Sequence, residues 1–343
     1  MAIIEYTPEL FDQLQEMVVQ VPRRMNLAHR PFVDYYYATR DCCKLYLFLS
    51  DSGRVLGTLG RELLAFQHES REITIRMGSN WFSLEPGIGG QLTKFSAQAN
   101  PSSFGMMLMA SRKALNVLRH YGWIPILGVR RYFLNGYTLY PRTRAAAAAN
   151  SIIRQFIGNR IASLTSRVPS DVSVCEEHSY TPDLLPCRSP FVFRFAPSVE
   201  YLNWRYNLSL SFVRYRLFRI LLTGTTVGYV IINESPQQIM VSQCDGEDAK
   251  ALAYGILLSI LQVGGNDQSP RMIFLSCSHE QMQPAFKQFG FRTWLRKDIP
   301  FAFRTLPPNF DASLNTSRWL VNYDWADNGL QAPFLDQTSK VVR

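Results

Sequence analysis

Residues 107–123 read MLMASRKALNVLRHYGW, and residues 273–291 read IFLSCSHEQMQPAFKQFGF. Each is an apolar run of strand character, then a polar stretch with apolar residues at helical spacing, then glycine followed by an aromatic residue. A second match lies upstream of each. Asp51-Ser52-Gly53-Arg54 before VLGTLG reads as a hairpin turn entering a strand, and so does Thr223-Gly224-Thr225 before TVGYVII. Gly122 corresponds to Gly290 and Gly57 to Gly228, both at a separation of about 170 residues, which is the mark of an internal duplication.

Working outward from these pairs, each half reads as strand, helix, antiparallel strands, helix, strand, helix, strand. In the first half, 2–6 is a strand and Thr7-Pro8-Glu9 opens a helix, with proline at its first position. Strands are expected at 44–50, 55–63 and 73–83. A glycine-rich break at 86–90 leads into a helix ending near 99, followed by the strand 104–110, the helix 112–120 and two strands reaching 140. The second half repeats the order with strands at 212–222, 226–233 and 238–244, a helix 248–262, a strand 271–276 and a helix 279–288. Residues 145–164 form an apolar-faced helix between the halves, and the chain from there to about 190 is irregular. The expected fold is therefore α/β, with two tandem modules, each a mixed, mostly antiparallel sheet flanked by helices. They span 1–141 and 191–343, with a basic connector helix and linker at 142–190.

Composition narrows the class. At 343 residues the chain suits two cores better than one. With 47% hydrophobic and 18% charged residues, folding is expected over disorder. No stretch approaches the roughly 18 apolar residues of a membrane span, and Met1-Ala2-Ile3-Ile4-Glu5 lacks the basic start of an export signal. A cytoplasmic location is the expectation. The six cysteines, with Cys42 and Cys43 adjacent, and the five scattered histidines lack metal-ligand spacing, so no metal site is expected. Charge is unevenly spread. No Asp or Glu occurs from Pro86 to Ser170, whereas eleven Lys and Arg do, Arg142, Arg144, Arg154, Arg160 and Arg167 among them. Such a field attracts an anion: coenzyme A, a lipid-linked sugar, an anionic membrane surface at the connector, or tRNA. Other nucleic acids are disfavoured, because no stacking platform is interleaved with the basic residues.

Leu84-Glu85-Pro86-Gly87-Ile88-Gly89-Gly90-Gln91-Leu92 stands between a strand and a helix. Glycines there let the backbone approach a diphosphate, and the helix start offers unpaired N–H groups. Followed by the helix that ends in Gly-aromatic, this stretch resembles the GCN5-related N-acetyltransferase (GNAT) superfamily, whose loop has the pattern Arg/Gln-x-x-Gly-x-Gly/Ala. Leu84 departs from the leading Arg or Gln. The resemblance implies acetyl-CoA or a longer acyl-CoA as co-substrate, with Gly87, Ile88, Gly89, Gly90, Gln91 and Leu92 binding it. At the matching place the second half carries Asp245-Gly246-Glu247-Asp248, which repels a diphosphate. Leu202-Asn203-Trp204-Arg205-Tyr206 and Asp324-Trp325-Ala326-Asp327 resemble segments of bacterial tandem members associated with surface-polysaccharide biosynthesis. Trp204, Arg205 and Asp327 are the acceptor-binding candidates this implies, and Trp81, on the strand expected at 73–83, is a further one by its place beside a pocket.

Chemistry is less fully written in the residues. Acyl transfer needs a base for the amine and a proton for the leaving thiolate. The tyrosine that supplies the proton in the resembled superfamily is replaced by Leu118 and Phe286. Asp245 and Asp324 are the carboxylate candidates for catalysis, and both also suit turns and helix caps. Two readings stand open. One is an acyl-CoA-dependent N-acyltransferase acting on an amino sugar, a lipid-linked sugar or another small amine. The other is a non-catalytic module of the same fold that binds a polyanion or a protein. On the first reading, acyl-CoA binds calorimetrically, more weakly as salt rises, and Gly89→Glu abolishes it; no binding at high micromolar concentration refutes that reading.

Overall fold

The computed structural model describes residues 1–21, 26–99, 103–108, 112–126, 130–135, 166–235, 238–264, 272–293, 301–304, 316–322 and 334–335. The connector helix expected at 145–164 lies outside them. The first part of the chain forms β1 (Ala2–Glu5), α1 (Phe11–Val18), α2 (Arg30–Ala38), β2 (Cys43–Leu49), β3 (Val55–His68), β4 (Arg71–Ser83), α3 (Ile88–Ala99), β5 (Phe104–Leu108), α4 (Arg112–His120), β6 (Ile124–Ile126) and β7 (Arg130–Asn135). The second forms β8 (Val172–Glu177), β9 (Phe193–Phe195), α5 (Val199–Arg205), β10 (Arg214–Leu222), β11 (Thr225–Glu234), β12 (Gln238–Gly246), α6 (Ala249–Gly264), β13 (Met272–Cys277), α7 (Gln283–Gln288), β14 (Arg292–Thr293) and β15 (Phe301–Arg304).

Local sequence explains the hairpins. Thr223 and Gly224 both adopt positive φ (48° and 81°), as a two-residue turn between right-twisted strands requires. Gly57 and Gly228 mark close approaches: a Cβ on the first would lie 2.7 Å from Ile88 Cγ2, and one on the second 2.4 Å from the Asp245 carbonyl. The helix α2 was not expected from the apolar pattern. Its start is set by Pro31 in the first turn and by His29, whose side chain accepts from the Phe32 N–H.

Two mixed sheets result, in the orders β1-β2-β3-β4-β5-β15-β6 and β14-β7-β13-β12-β11-β10-β8. Each has one parallel pair, β4 with β5 and β12 with β13, and is otherwise antiparallel. The sheets do not follow the 1–141, 142–190 and 191–343 division of the chain. Strand β7 lies beside β13 in the second sheet, and β15 lies between β5 and β6 in the first. Each module thus lends its last long strand to the other. Two further strands correct the expected irregular stretch and boundary: β8, from within 142–190, edges the second sheet, and β9 pairs with β3 of the first.

Alternation along the strands divides the core. On β10, Tyr215 and Leu217 join a cluster shared by α1, α2 and α5, while Phe218 and Ile220 join the cluster under α6 and α7. The shared cluster is the joint between modules, and its centre is polar. Glu62, fully buried, accepts from Tyr36 Oη (2.7 Å) and Tyr201 Oη (2.5 Å), and the Arg205 guanidinium lies 4.6 Å over the Tyr36 ring. Strand exchange predicts that neither half folds alone. Cleavage between residues 142 and 165 should leave two fragments that co-purify, whereas either fragment expressed singly should be insoluble; a soluble, cooperatively melting 1–141 fragment would contradict this.

Candidate functional site

The start of α3 is built by a left-handed glycine. Gly87 has φ +85° with nothing within 4 Å of where its Cβ would be, so it turns the chain from β4 into the helix while staying open to solvent. Standing directly before the helix, it has no side chain with which to cap it. Gln91 N–H is the first to bond back into the helix, to Gly87 O at 3.2 Å. Helix geometry leaves the N–H groups of Ile88, Gly89 and Gly90 without intrahelical acceptors. Ile88 and Leu92 are buried and anchor the turn, whereas Gln91 is exposed.

Two aromatic side chains frame this helix start. Trp81 Nε1 donates to Gly89 O at 2.9 Å, and a Cβ on Gly89 would touch the indole at 3.0 Å. Tyr121 lies against Gly90, its hydroxyl 2.3 Å from where a Cβ would stand. Trp81, an acceptor-binding candidate in the sequence, lies against the glycine stretch, the cofactor-binding candidate. Tyr121 is out of helical phase with Leu118, which holds the tyrosine position of the resembled superfamily; only the fold places it on Gly90. The close Trp81 contact also makes Gly89→Glu a packing change as well as a charge change.

The matching place in the second module is closed. The Asp248 carboxylate accepts from Lys250 N (2.9 Å) and Ala251 N (2.8 Å), capping α6, and Glu247 accepts from Cys187 N at 2.7 Å. Beyond the last parallel pair, Met240 with Phe274, strands β12 and β13 are bridged by the segment 319–322. Ser278 Oγ donates to Trp319 O at 2.9 Å. Asn322 Oδ1 accepts from Cys244 N (3.1 Å), and its Nδ2 donates to Cys244 O (3.0 Å). A side-chain amide thus satisfies the backbone of β12 where the neighbouring strand has turned away.

The remaining candidates lie elsewhere. Asp324 and Asp327 fall outside the described residues. Trp204 stacks on Tyr36 (5.7 Å, 9°), donates from Nε1 to Thr39 Oγ1 at 2.9 Å, and borders a shallow concavity of about 510 Å3 with Tyr35, Arg40 and Asn203. Arg205 is buried beside it. Asp245 is ion-paired with Arg194 of β9, whose Nε donates to Gln67 Oε1 at 2.9 Å. This chain of contacts runs from the second sheet to the first. Burial pushes the Asp245 carboxyl up to about 7, against the opposing pull of Arg194. Leu118 and Phe286 are fully buried core residues. Among the described residues no cluster of His, Cys, Asp or Glu could hold a metal ion, and no helix is long and apolar enough to cross a membrane.

Comparison with known proteins places this geometry in a fold. No family model matches the chain, and no curated protein matches it. Solved structures do. A tandem GNAT protein from the clavulanic acid biosynthesis pathway aligns with TM-score 0.52 at 13% identity, over 88% of this chain and 98% of that one. A GCN5-related N-acetyltransferase from Anabaena variabilis aligns with TM-score 0.51 at 9% identity, over 88% and 72%. Saccharomyces cerevisiae N-myristoyltransferase, with bound myristoyl-CoA, aligns with TM-score 0.55 at 8% identity, over 93% and 89%. The chain has the GNAT fold, and a tandem GNAT protein is among the structures it resembles.

The raised carboxyl of Asp245 carries a sign. A folded pKa of about 7, above the ordinary 3.8, makes the native state hold a proton that the unfolded chain releases. Its contribution is therefore fully present below pH 4 and is lost as pH rises to about 7. The stability gap between the native protein and Asp245→Asn should narrow from pH 5 to pH 8 in denaturant titrations; a gap that stays constant over that range would show that Arg194 keeps the carboxylate ionised throughout.

Proposed function

We propose that the protein transfers an acyl group from a coenzyme-A thioester to an amine, with the diphosphate held at the start of α3. The observation carrying this reading is the contrast between the two modules. The α3 start has glycine in the capping position and three N–H groups without intrahelical acceptors, whereas the α6 start is capped by Asp248. An uncapped helix N-terminus attracts an anion through its dipole and free donors. Neither α3 nor α4 contains an Asp or Glu, and Lys94 and Arg119 are exposed on them. Gly87, Ile88, Gly89, Gly90 and Gln91 would hold the diphosphate, with Trp81 and Tyr121 beside them.

In the reaction, the amine nitrogen attacks the thioester carbonyl, the carbon–sulfur bond breaks, and the thiolate takes a proton. Leu118 and Phe286, which stand where a tyrosine would serve as that acid, supply none. What the described residues contribute is binding and orientation, which by themselves lower a bimolecular barrier. Asp324, Asp327, Trp204 and Arg205 are carried in this proposal as catalytic and acceptor contacts. A small amine, an amino sugar or a lipid-linked sugar is the acceptor class, and surface-polysaccharide synthesis in the cytoplasm is the setting. The buried Leu118 and Phe286 favour a second reading, in which the fold binds acyl-CoA or another polyanion without turnover.

Gln91→Glu tests the site by charge alone. The residue is exposed and in the first turn, so the variant should melt no lower than the native protein, because an acidic residue there favours the helix. It should nonetheless bind acyl-CoA about three- to tenfold more weakly, by repulsion of the diphosphate. Equal affinity would remove the diphosphate from α3. Release of free thiol from acyl-CoA on addition of amines separates the transferase from the binding module.

A further inference from the structure

One residue of β4 is held in a conformation that strands do not use. Asn80 is buried and has φ 44°. Asparagine tolerates the left-handed region better than most residues, but a strand interior does not call for it. The residue sits at a bulge. Thr58 of β3 pairs with Phe82 and Gly60 with Ser79, so Leu59 alone stands opposite both Asn80 and Trp81. Strand β12 of the second module also has one extra residue against β11, Ser242, yet nothing from 241 to 243 has positive φ. A bulge by itself therefore does not need the left-handed turn, and the module with the open helix start is the one that has it.

The consequence is a change of face. Side chains alternate along a strand, and one inserted residue moves every later one to the other side. Ser79 faces the joint, where its Oγ lies 3.3 Å from Tyr37 Oη. Regular alternation would then put Asn80 toward α3, Trp81 toward the joint and Phe82 toward α3. Instead Asn80 also faces the joint, donating from Nδ2 to Tyr37 Oη at 2.7 Å. Trp81 turns to the cluster of Leu59, Ile88 and Leu92, and Phe82 to the shared cluster of the joint. Two further bonds hold the turn. Asn26 Nδ2 donates to Asn80 Oδ1 at 3.3 Å, and Thr58 Oγ1 to Asn80 O at 2.7 Å. Strain held in place by its surroundings is characteristic of functional positions.

What the change of face delivers is the indole. Trp81 Nε1 donates to Gly89 O at 2.9 Å. That carbonyl shares a planar peptide with the Gly90 N–H, one of the donors at the start of α3 without an intrahelical acceptor, so a fixed carbonyl fixes the direction of that N–H. A phenyl ring in the same place could not donate. We propose that Asn80 is a positioning residue of the diphosphate site: its left-handed conformation selects Trp81 over Phe82 for the glycine turn, and Trp81 then sets the Gly89–Gly90 peptide toward the ligand. This role rests on the acyl-CoA reading of α3.

The test compares Asn80→Gly with Asn80→Ala in the full chain labelled with 5-fluorotryptophan, and Trp81→Phe identifies the fluorine resonance of residue 81 by its absence. Both substitutions at 80 remove the bonds to Tyr37 and Asn26 alike. They differ in the cost of positive φ, which glycine does not bear. Asn80→Gly should keep the residue-81 resonance and stay within about threefold of the native affinity for acetyl-CoA, measured by calorimetry. Asn80→Ala should shift the resonance and bind about tenfold more weakly than Asn80→Gly, because only the fraction of molecules holding the turn is competent. Trp81→Phe should bind about three- to tenfold more weakly than the native protein, for want of the bond to Gly89 O. Like resonances and affinities in Asn80→Gly and Asn80→Ala overturn the proposal, since the amide and not the turn would then be what matters. If Asn80→Ala does not fold, Trp81→Phe decides: native affinity in that variant overturns the proposal, and weakened affinity supports it. Acetyl-CoA that binds the native protein but is indifferent to Asn80→Ala and Trp81→Phe removes this role alone. Acetyl-CoA that does not bind the native protein removes the acyl-CoA reading and this role with it.

Discussion

The exchange of β7 and β15 is the constraint on which the rest of the structure depends. In each sheet the parallel pair, β4 with β5 or β12 with β13, leaves the outer edge of its second strand to be covered. An uncovered edge presents a row of unpaired backbone groups. Here β15 covers β5 and β7 covers β13, and each comes from the other half of the chain. The two modules are thereby one folding unit, although their elements repeat in series. The sheets also share burial: α1, α2, α5 and one face each of β2, β10 and β11 contribute to one hydrophobic cluster.

Polar groups inside that joint fix its geometry more than they strengthen it. Glu62, Tyr36, Tyr201 and Arg205 form one buried group, and Gln67, Arg194 and Asp245 form another. A buried ion pair recovers its desolvation cost only when both partners are held in place, and removing one partner is strongly destabilising. Strand β9 has this holding role: three residues, paired with β3, carry Arg194 across to β12. The same economy accounts for the asymmetry of the modules. Duplication placed a helix start after each central strand. In the second copy Asp248 caps the helix and Asn322 satisfies the β12 backbone, whereas in the first Gly87 leaves the corresponding N–H groups available.

Most regular elements were legible because their signals are local. The paired Gly-aromatic helix ends, the hairpin turns at Gly53 and Thr223-Gly224, and the alternation along 214–222 all rest on neighbours within a few residues. The glycine stretch and Trp81 carry different expected roles, cofactor and acceptor binding, and the fold sets them in contact because the turn that joins them is short. Helix α2 was not read, although its buried Phe32, Val33, Tyr36 and Tyr37 recur at helical spacing and its proline and histidine start was a further signal. Tyr121 is out of helical phase with the superfamily's tyrosine position, and its contact with Gly90 arises from the packing of α4 beside α3. Trp204 and Arg205 were read for acceptor binding, and their burial against Tyr36 depends on a partner helix some 170 residues away in the chain.

By itself, the sequence determined that this is an α/β protein of two repeated modules with one glycine-bearing helix start and one acidic one. Those features are set by φ preferences, by period and by charge, all of which act within a few residues. Only the tertiary structure decided which sheet each strand joins, which carboxylates are buried, and that Trp81 rather than Phe82 faces the glycine turn. A strand's pattern states that it needs a partner on each edge and a core beneath it. It does not state which copy supplies them, because the two copies offer edges of the same chemistry and the choice rests on how the chain crosses between them.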